Sequence, residues 1–176
     1  FKGSAIREGK MKTAEVELCN LSKDHKLQNT DDVNGTYIEF RPDEKIFHKF
    51  RFVNEFIESR IWNYAYLNAG LKIHFNGKTY ISKNGLKDLA ATHIKNPLHK
   101  NFIYGYNQFD DEVEVEVFAQ WTAGKEQAYV FSNGALNSEG GTPITGAKTA
   151  FTRTINTLSK GEFDADMIRQ GLVYIV

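Results

Sequence analysis

Residues 138–156 read SEGGTPITGAKTAFTRTIN, and the parsing of this stretch decides what kind of chain this is. Gly140 and Gly141 free the backbone for a tight turn, Thr142 is a good N-cap, and Pro143 suits the first helical position because the N–H it lacks would be unpaired there. A helix therefore starts here. Ile144, Ala147, Phe151, Ile155 and Leu158 fall at spacings of three and four, one face of a 3.6-residue period, while Lys148, Thr149, Thr152 and Arg153 project at other angles. The helix is predicted to have a buried side and a cationic, hydroxyl-bearing side. That second side faces either water or an anion.

Outward from this helix, strands and short helices alternate irregularly. VEVEVFAQW has strict alternation and is predicted to be a strand with Glu114 and Glu116 on one face, and AYVFSNGAL is expected to pair with it. A helical turn at about residues 164–170 and a terminal strand in GLVYIV close the chain. Upstream lie the turn-rich NPLHKNFIYGYN, a short helix at residues 86–93, and a hairpin of LKIHF and KTYIS around Asn76-Gly77. Residues 49–68 carry a helical stripe through Val53, Ile57, Ile61, Tyr64 and Leu67, with Gly70 as the stop. GTYIEF reads as a strand closed by Pro42, residues 20–34 as a polar connection, and AIREGKMKTAEVEL as a hairpin around Glu8-Gly9. The chain carries no repeat and no low-complexity tract, and the class is α+β.

Composition narrows the functions. In 176 residues, an apolar fraction of 41% with thirteen Phe and eight Tyr supplies a core for one domain or two small ones. The formal net charge is zero, so contact with nucleic acid or an anionic membrane has to come from a local patch. The single cysteine, Cys19, excludes an internal disulfide and reads as an unreactive structural residue in a reducing compartment. With no run of eighteen apolar residues and no signal-peptide profile, a cytoplasmic location without membrane contact is expected. The chain opens on Phe1 and closes on a strand-like run, which reads as a piece of a longer polypeptide.

Candidate constellations are few. His25, His48, His74, His93 and His99 are scattered without the spacing of a zinc site. Asp110, Asp111 and Glu112 could form a hard-cation cluster, but acidic residues in the turn before a strand are ordinary surface chemistry. No P-loop, GxGxxG or GxSxG is present, so spacing supports neither a metal site nor a catalytic residue. The one site-like feature is the helix at Thr142, whose N-terminal amides, with Lys148 and Arg153, could hold an anion. Exposed Lys and Arg on a helix more often just face solvent. A stand-alone, non-enzymatic nucleic-acid-binding module of α+β type is one reading of that helix.

GTYIEFRPDEKIF, WNYAYLNAGLKIHF, NPLHKNFIYGY, VEVEVFAQW, SEGGTPITGAKTAFTRTIN and DADMIRQGLVYIV carry a second reading. In this order they resemble the ATPase (B) subunits of bacterial-type type IIA DNA topoisomerases, the group comprising DNA gyrase and topoisomerase IV. The resemblance covers nearly the whole chain and is weakest over residues 20–33. It implies that residues 1–77 are the C-terminal portion of a GHKL-type ATP-binding domain, with part of its sheet and one long helix. Residues 78–176 would be a transducer domain with a left-handed βαβ, ribosomal-protein-like fold, truncated before the switch-lysine loop.

The function implied is the relay of ATP binding and hydrolysis to DNA strand passage in supercoiling, relaxation or decatenation. The cofactors implied are ATP and Mg2+ in the intact subunit, with none expected on this piece alone. The partners implied are DNA, the cleavage (A) subunit and a second copy of the chain, in a cytoplasmic, nucleoid-associated enzyme. The family's general base, magnesium ligand, adenine-reading aspartate and glycine-rich lid correspond to sequence before Phe1, and its γ-phosphate lysine to sequence after Val176. The resemblance therefore implies an inactive piece of an active enzyme. Carried over by position are Arg7, which matches an arginine flanking the nucleotide and coumarin pocket, Thr36 and Ile38, which match residues at the adenine end, and Lys148, which matches a basic residue lining a DNA-sized cavity. Pro143 stands where the family usually has His, Lys148 where it usually has Arg, and Thr149-Ala150 where it usually has Ser-Ala or Ala-Ala. The charge at Lys148 is kept, but not the planar fork.

Overall fold

The computed structural model describes residues 1–110 and 112–176. Asp111, one of the acidic trio considered above, lies outside the described residues. The chain forms two compact units, Phe1–Phe52 and Val53–Val176. This packing boundary falls upstream of residue 77.

The N-terminal unit is an antiparallel sheet. Strands β1 (Lys2–Arg7) and β2 (Lys10–Glu17) form the expected hairpin, with Arg7 opposite Lys10. Glu8 and Gly9 both take positive φ, 52° and 73°, the twist that a two-residue turn between strands requires. Residues 20–34, expected to be a connection, instead contain β3 (Asn20–Asp24) and β4 (Gln28–Asn29), both paired with β2. The β2–β3 turn is made by Leu18 and Cys19 at φ 46° and 66°, residues that do not advertise a turn, and every residue of β3 is exposed, so no apolar alternation marks it. Strand β5 (Gly35–Glu39) adds to the other side of β1 in the order β3-β2-β1-β5, and the short helix α1 (Glu44–Phe47) follows, capped by the Asp43 side chain. The buried side chains of this unit are polar: Ser4 and Thr13 face each other across β1 and β2 with their hydroxyl oxygens 2.8 Å apart.

The C-terminal unit begins with α2 (Asn54–Leu67), five residues later than the stripe predicted, and the hairpin β6 (Ile73–Phe75) and β7 (Lys78–Tyr80). On α2 the fully buried residue is Ala65, while Tyr64 of the predicted stripe is 48% exposed. Helix α3 (Leu86–His93) comes next, then β8 (Ile103–Phe109) and β9 (Val113–Trp121). Strand β10 (Gln127–Tyr129) and the small hairpin of β11 (Phe131–Ser132) and β12 (Ala135–Leu136) lead into α4 (Thr142–Leu158), α5 (Ala165–Arg169) and β13 (Leu172–Ile175).

The main sheet has the order β10-β13-β9-β8, with β10 parallel to β13 and the other pairs antiparallel. The expected pairing of AYVFSNGAL with β9 does not occur, because β13 inserts between β9 and β10. All four residues of β13 are buried, since both faces of that strand are covered. Alternation divides them: Ile175 joins Phe118, Leu86, Leu89 and Ala90 in a cluster with α3, while Leu172 and Tyr174 join Ala119 in a cluster that receives Ala147 and Phe151 of α4. The chain from β10 to β13 is thus a crossover between parallel neighbours, with α4 laid against the sheet.

Candidate nucleic-acid interface

Helix α4 starts where the sequence predicts, but with a different cap. Gly141 is the N-cap, at φ 106° and ψ −172°, a backbone region open essentially to glycine alone, and Thr142 is already the first helical residue. The correction to the expected Thr142 cap has a steric cause: a threonine Cβ is not tolerated at that φ. Thr145 Oγ1 donates instead to the Gly141 carbonyl at 3.3 Å.

The buried side of α4 is broader than the stripe predicted. Ile144, Ala147, Phe151 and Ile155 are half-buried, and so are Lys148, Thr152 and Asn156 on the adjoining i, i+4 row. Leu158, expected on the buried face, is 79% exposed at the last turn. Phe151 packs on Tyr174 with ring centroids 5.6 Å apart. Arg153 is exposed, but Lys148 is not on a freely solvated face; it borders the contact with the sheet.

That border holds a charge cluster invisible in any local motif. Lys148 Nζ lies 3.2 Å from Glu126 Oε1, and Arg169 Nε lies 3.5 Å from Glu126 Oε2. Tyr174 Oη donates to Glu126 Oε1 at 3.3 Å. Arg169 also donates through Nη2 to Asp166 Oδ1 at 2.7 Å and through Nη1 to Thr152 Oγ1 at 3.2 Å. Glu126 therefore gathers a lysine from α4, an arginine from α5 and a tyrosine from β13. Burial, and then the neighbouring Glu126 carboxylate, push the Tyr174 phenol up to about 12. The i, i+3 spacing of Asp166 and Arg169 is readable in sequence, but nothing local assigns Glu126 to this cluster.

In the N-terminal unit the structure brings Arg7, Thr36 and Ile38 to one face of the sheet. Thr36 stands opposite Ala5 and Ile38 opposite Gly3, and Gly3, Ala5 and Arg7 are alternate residues of β1. The face is open: Thr36 is exposed, Ile38 is 60% exposed, and among the described residues Arg7 has one ion-pair contact, 3.5 Å to the neighbouring Glu8 carboxylate. With Gly3 and Ala5 between them, these side chains frame a shallow surface.

His25 and Glu15 are 3.0 Å apart, and the carboxyl of Glu15 is held below its ordinary range first by that hydrogen bond. His93 stacks on Tyr129 at 3.9 Å, and burial lowers its basicity. Cys19, expected to be an unreactive structural residue, is exposed in the β2–β3 turn. Among the described residues no three metal-ligating side chains stand together, and no helix is long and apolar enough to cross a membrane.

The mixed α and β fold matches that of gyrase B ATPase domains. The DNA gyrase B family model matches residues 85–176. The chain belongs to the DNA gyrase B family. The B subunit of DNA topoisomerase 4 from Borreliella burgdorferi is 32% identical over 173 residues, covering 98% of this chain and 28% of that protein. The B subunit of DNA gyrase from Haloferax lucentense is 27% identical over 194 residues, covering 99% of this chain and 30% of that protein. The 43K ATPase domain of Thermus thermophilus gyrase B, solved in complex with an aminocoumarin, superposes with a TM-score of 0.80 at 25% identity, covering 99% of this chain and 53% of that one. The chain spans less than a third of the length of these curated relatives.

Proposed function

We propose that this chain is part of the ATPase subunit of a type II DNA topoisomerase and relays ATP binding and hydrolysis to DNA strand passage. The observation that carries this reading is the likeness to gyrase and topoisomerase IV B subunits along 98–99% of the chain, together with the fold shared with a gyrase ATPase domain. In this reading residues 1–77 belong to the ATP-binding domain and residues 78–176 to a transducer domain. The β10–α4–α5–β13 crossover is then the counterpart of the transducer's left-handed βαβ unit. Coupling needs an element with two states that the ligand biases.

Thr36 and Ile38 are assigned to the adenine end of the nucleotide site and Arg7 to its rim, where an aminocoumarin would also bind. Their shared sheet face and their exposure fit a ligand-facing role. ATP supplies the phosphoryl group and Mg2+ its charge neutralisation in the complete subunit. In this reading the chain contributes the adenine end and the rim, and the magnesium ligand belongs to another part of the subunit. By itself it is expected to turn over no ATP, since phosphoryl transfer depends on a magnesium ligand, a base and a lysine that the resemblance does not assign to these residues.

Lys148 is assigned to a DNA-facing surface, and its cation at the outer edge of the α4 cluster favours a phosphate contact. DNA, the cleavage subunit and a second copy of the chain are the partners, in a cytoplasmic, nucleoid-associated setting. The test is ATP-dependent change of plasmid linking number by the full-length protein with its cleavage subunit. Failure to alter topology with ATP, in a preparation that binds both DNA and nucleotide, would overturn the reading.

A further inference from the structure

We propose that Glu126 is an internal competitor for DNA phosphate at Lys148, so that the chain gates its own cationic contact. The inference rests on the assignment of Lys148 to a DNA-facing surface and deepens it by naming what controls the residue.

Three features carry it. The first is charge: Lys148, Arg169, Glu126 and Asp166 are joined by three ion-pair contacts and sum to zero, so Lys148 adds no net positive charge to the α4 surface while it rests on Glu126, and Arg153 is left as the exposed cation of the helix. The second is a gradient of exposure: the side chain of Arg169 is 19% exposed, that of Glu126 27% and that of Lys148 40%. Among the charged groups that meet Glu126, Lys148 is the more exposed, on a flexible four-carbon stem that can swing its ammonium to a phosphate. The third is redundancy: when Lys148 leaves, Glu126 keeps Arg169 Nε at 3.5 Å and the Tyr174 hydroxyl at 3.3 Å. The carboxylate is therefore never left buried without a partner, the condition that makes breaking most buried ion pairs costly.

Lys148 is thus held by a partly exposed pair that opens easily, and DNA has to displace a carboxylate to reach it. The exchange has a signature in salt. A lysine meeting a phosphate releases a counterion, worth about 0.9 in the slope of log K against log salt. If a carboxylate is freed in the same step, the cation it attracts offsets part of that release.

The experiment uses the full-length protein and a short mixed-sequence duplex, with Kd measured by anisotropy over a salt series. The proteins are wild type, Glu126→Gln, Lys148→Met and the double variant. Melting temperature and near-ultraviolet circular dichroism are recorded for each. Gln at 126 keeps an acceptor for the Tyr174 hydroxyl. Glu126→Gln is expected to tighten DNA binding about threefold to fivefold, the scale of a partly exposed pair. In the Lys148→Met background the same change should give little. Lys148→Met should lower the slope by well under one unit when Glu126 is present, and by about 0.9 in the Glu126→Gln background.

An equal gain from Glu126→Gln with and without Lys148 would mean that the acid acts only through the general field. The gating would then be wrong and the DNA contact of Lys148 would stand. No effect of Lys148→Met in either background would overturn both. If Glu126→Gln does not fold, the Lys148→Met slope decides alone: a loss of a full unit overturns the proposal, and a loss well below it supports it.

Discussion

A Cβ placed on Gly171 would sit 2.1 Å from the carbonyl oxygen of Thr122, while the Thr122 amide donates to the Gly171 carbonyl at 2.8 Å. The two backbones meet where β13 enters the sheet beside β9, at φ 75° for Gly171. Both the space and the backbone conformation exclude a side chain. Gly171→Ala is expected to destabilise the chain by at least ~2 kcal/mol, since the strand must shift or the left-handed strain must be borne. Thermal or urea unfolding checks this, and an unchanged midpoint would show that the approach is looser than described.

Tyr174 provides a titration. Its phenol is pushed up to about 12 by burial and by Glu126, so folding favours the protonated form. The stability this represents is fully present below about 10, the unfolded value, and is lost as pH rises through about 12. Tyr174→Phe should flatten the fall of stability over that alkaline window and cost about 1 kcal/mol at neutral pH for the lost hydrogen bond. Denaturant midpoints of both proteins against pH would reveal it. Parallel curves would mean that Tyr174 does not govern alkaline unfolding.

At Lys148 the conservative change is informative. Lys148→Arg keeps the cation and its reach to Glu126 and adds a planar fork suited to phosphate oxygens. DNA affinity of the full-length protein is expected to be equal or up to about tenfold tighter, with the melting temperature unchanged. A weaker complex would place Lys148 at a site too narrow for a guanidinium.

On the open face of the N-terminal sheet, Arg7→Ala in the full-length protein should weaken aminocoumarin inhibition about tenfold to a hundredfold, the scale of a charge-assisted hydrogen bond of ~1.5–3 kcal/mol. Thr36→Val should raise the ATP concentration needed for turnover about fivefold, for one neutral hydrogen bond of ~1 kcal/mol. Both residues are exposed, so thermal unfolding should stay within a few degrees. Loss of stability with unchanged ligand response would make them structural instead.

Elements with a strong local signature are legible in the sequence. The Glu8-Gly9 and Asn76-Gly77 hairpins, α3, α4 and β9 each follow from a turn pair, a period or a glycine stop within their own few residues. Strands β3 and β4 are illegible because they are short, polar and exposed, and the Leu18-Cys19 turn uses residues without intrinsic preference for positive φ. The pairing of β10 escapes the sequence for another reason. Antiparallel neighbours in sequence are the ordinary expectation, and only the return of β13 after two helices displaces that partner.

By itself the sequence determined the mixed α and β class, the position of α4 and four of the five residues of its apolar stripe, Leu158 being exposed, and the resemblance that the family match bears out. These rest on patterns within one element or on residue order, which need no knowledge of distant contacts. Only the tertiary structure decided that Thr36, Ile38 and Arg7 share one sheet face, and that Lys148 meets Glu126 rather than open water. Glu126 lies 22 residues before Lys148, and Tyr174 lies 48 residues after Glu126. Their convergence follows from β13 inserting beside β10 and from Phe151 seating α4 on Tyr174, so what Lys148 adds to the charge of the helix face is set by packing and not by the helix's own sequence.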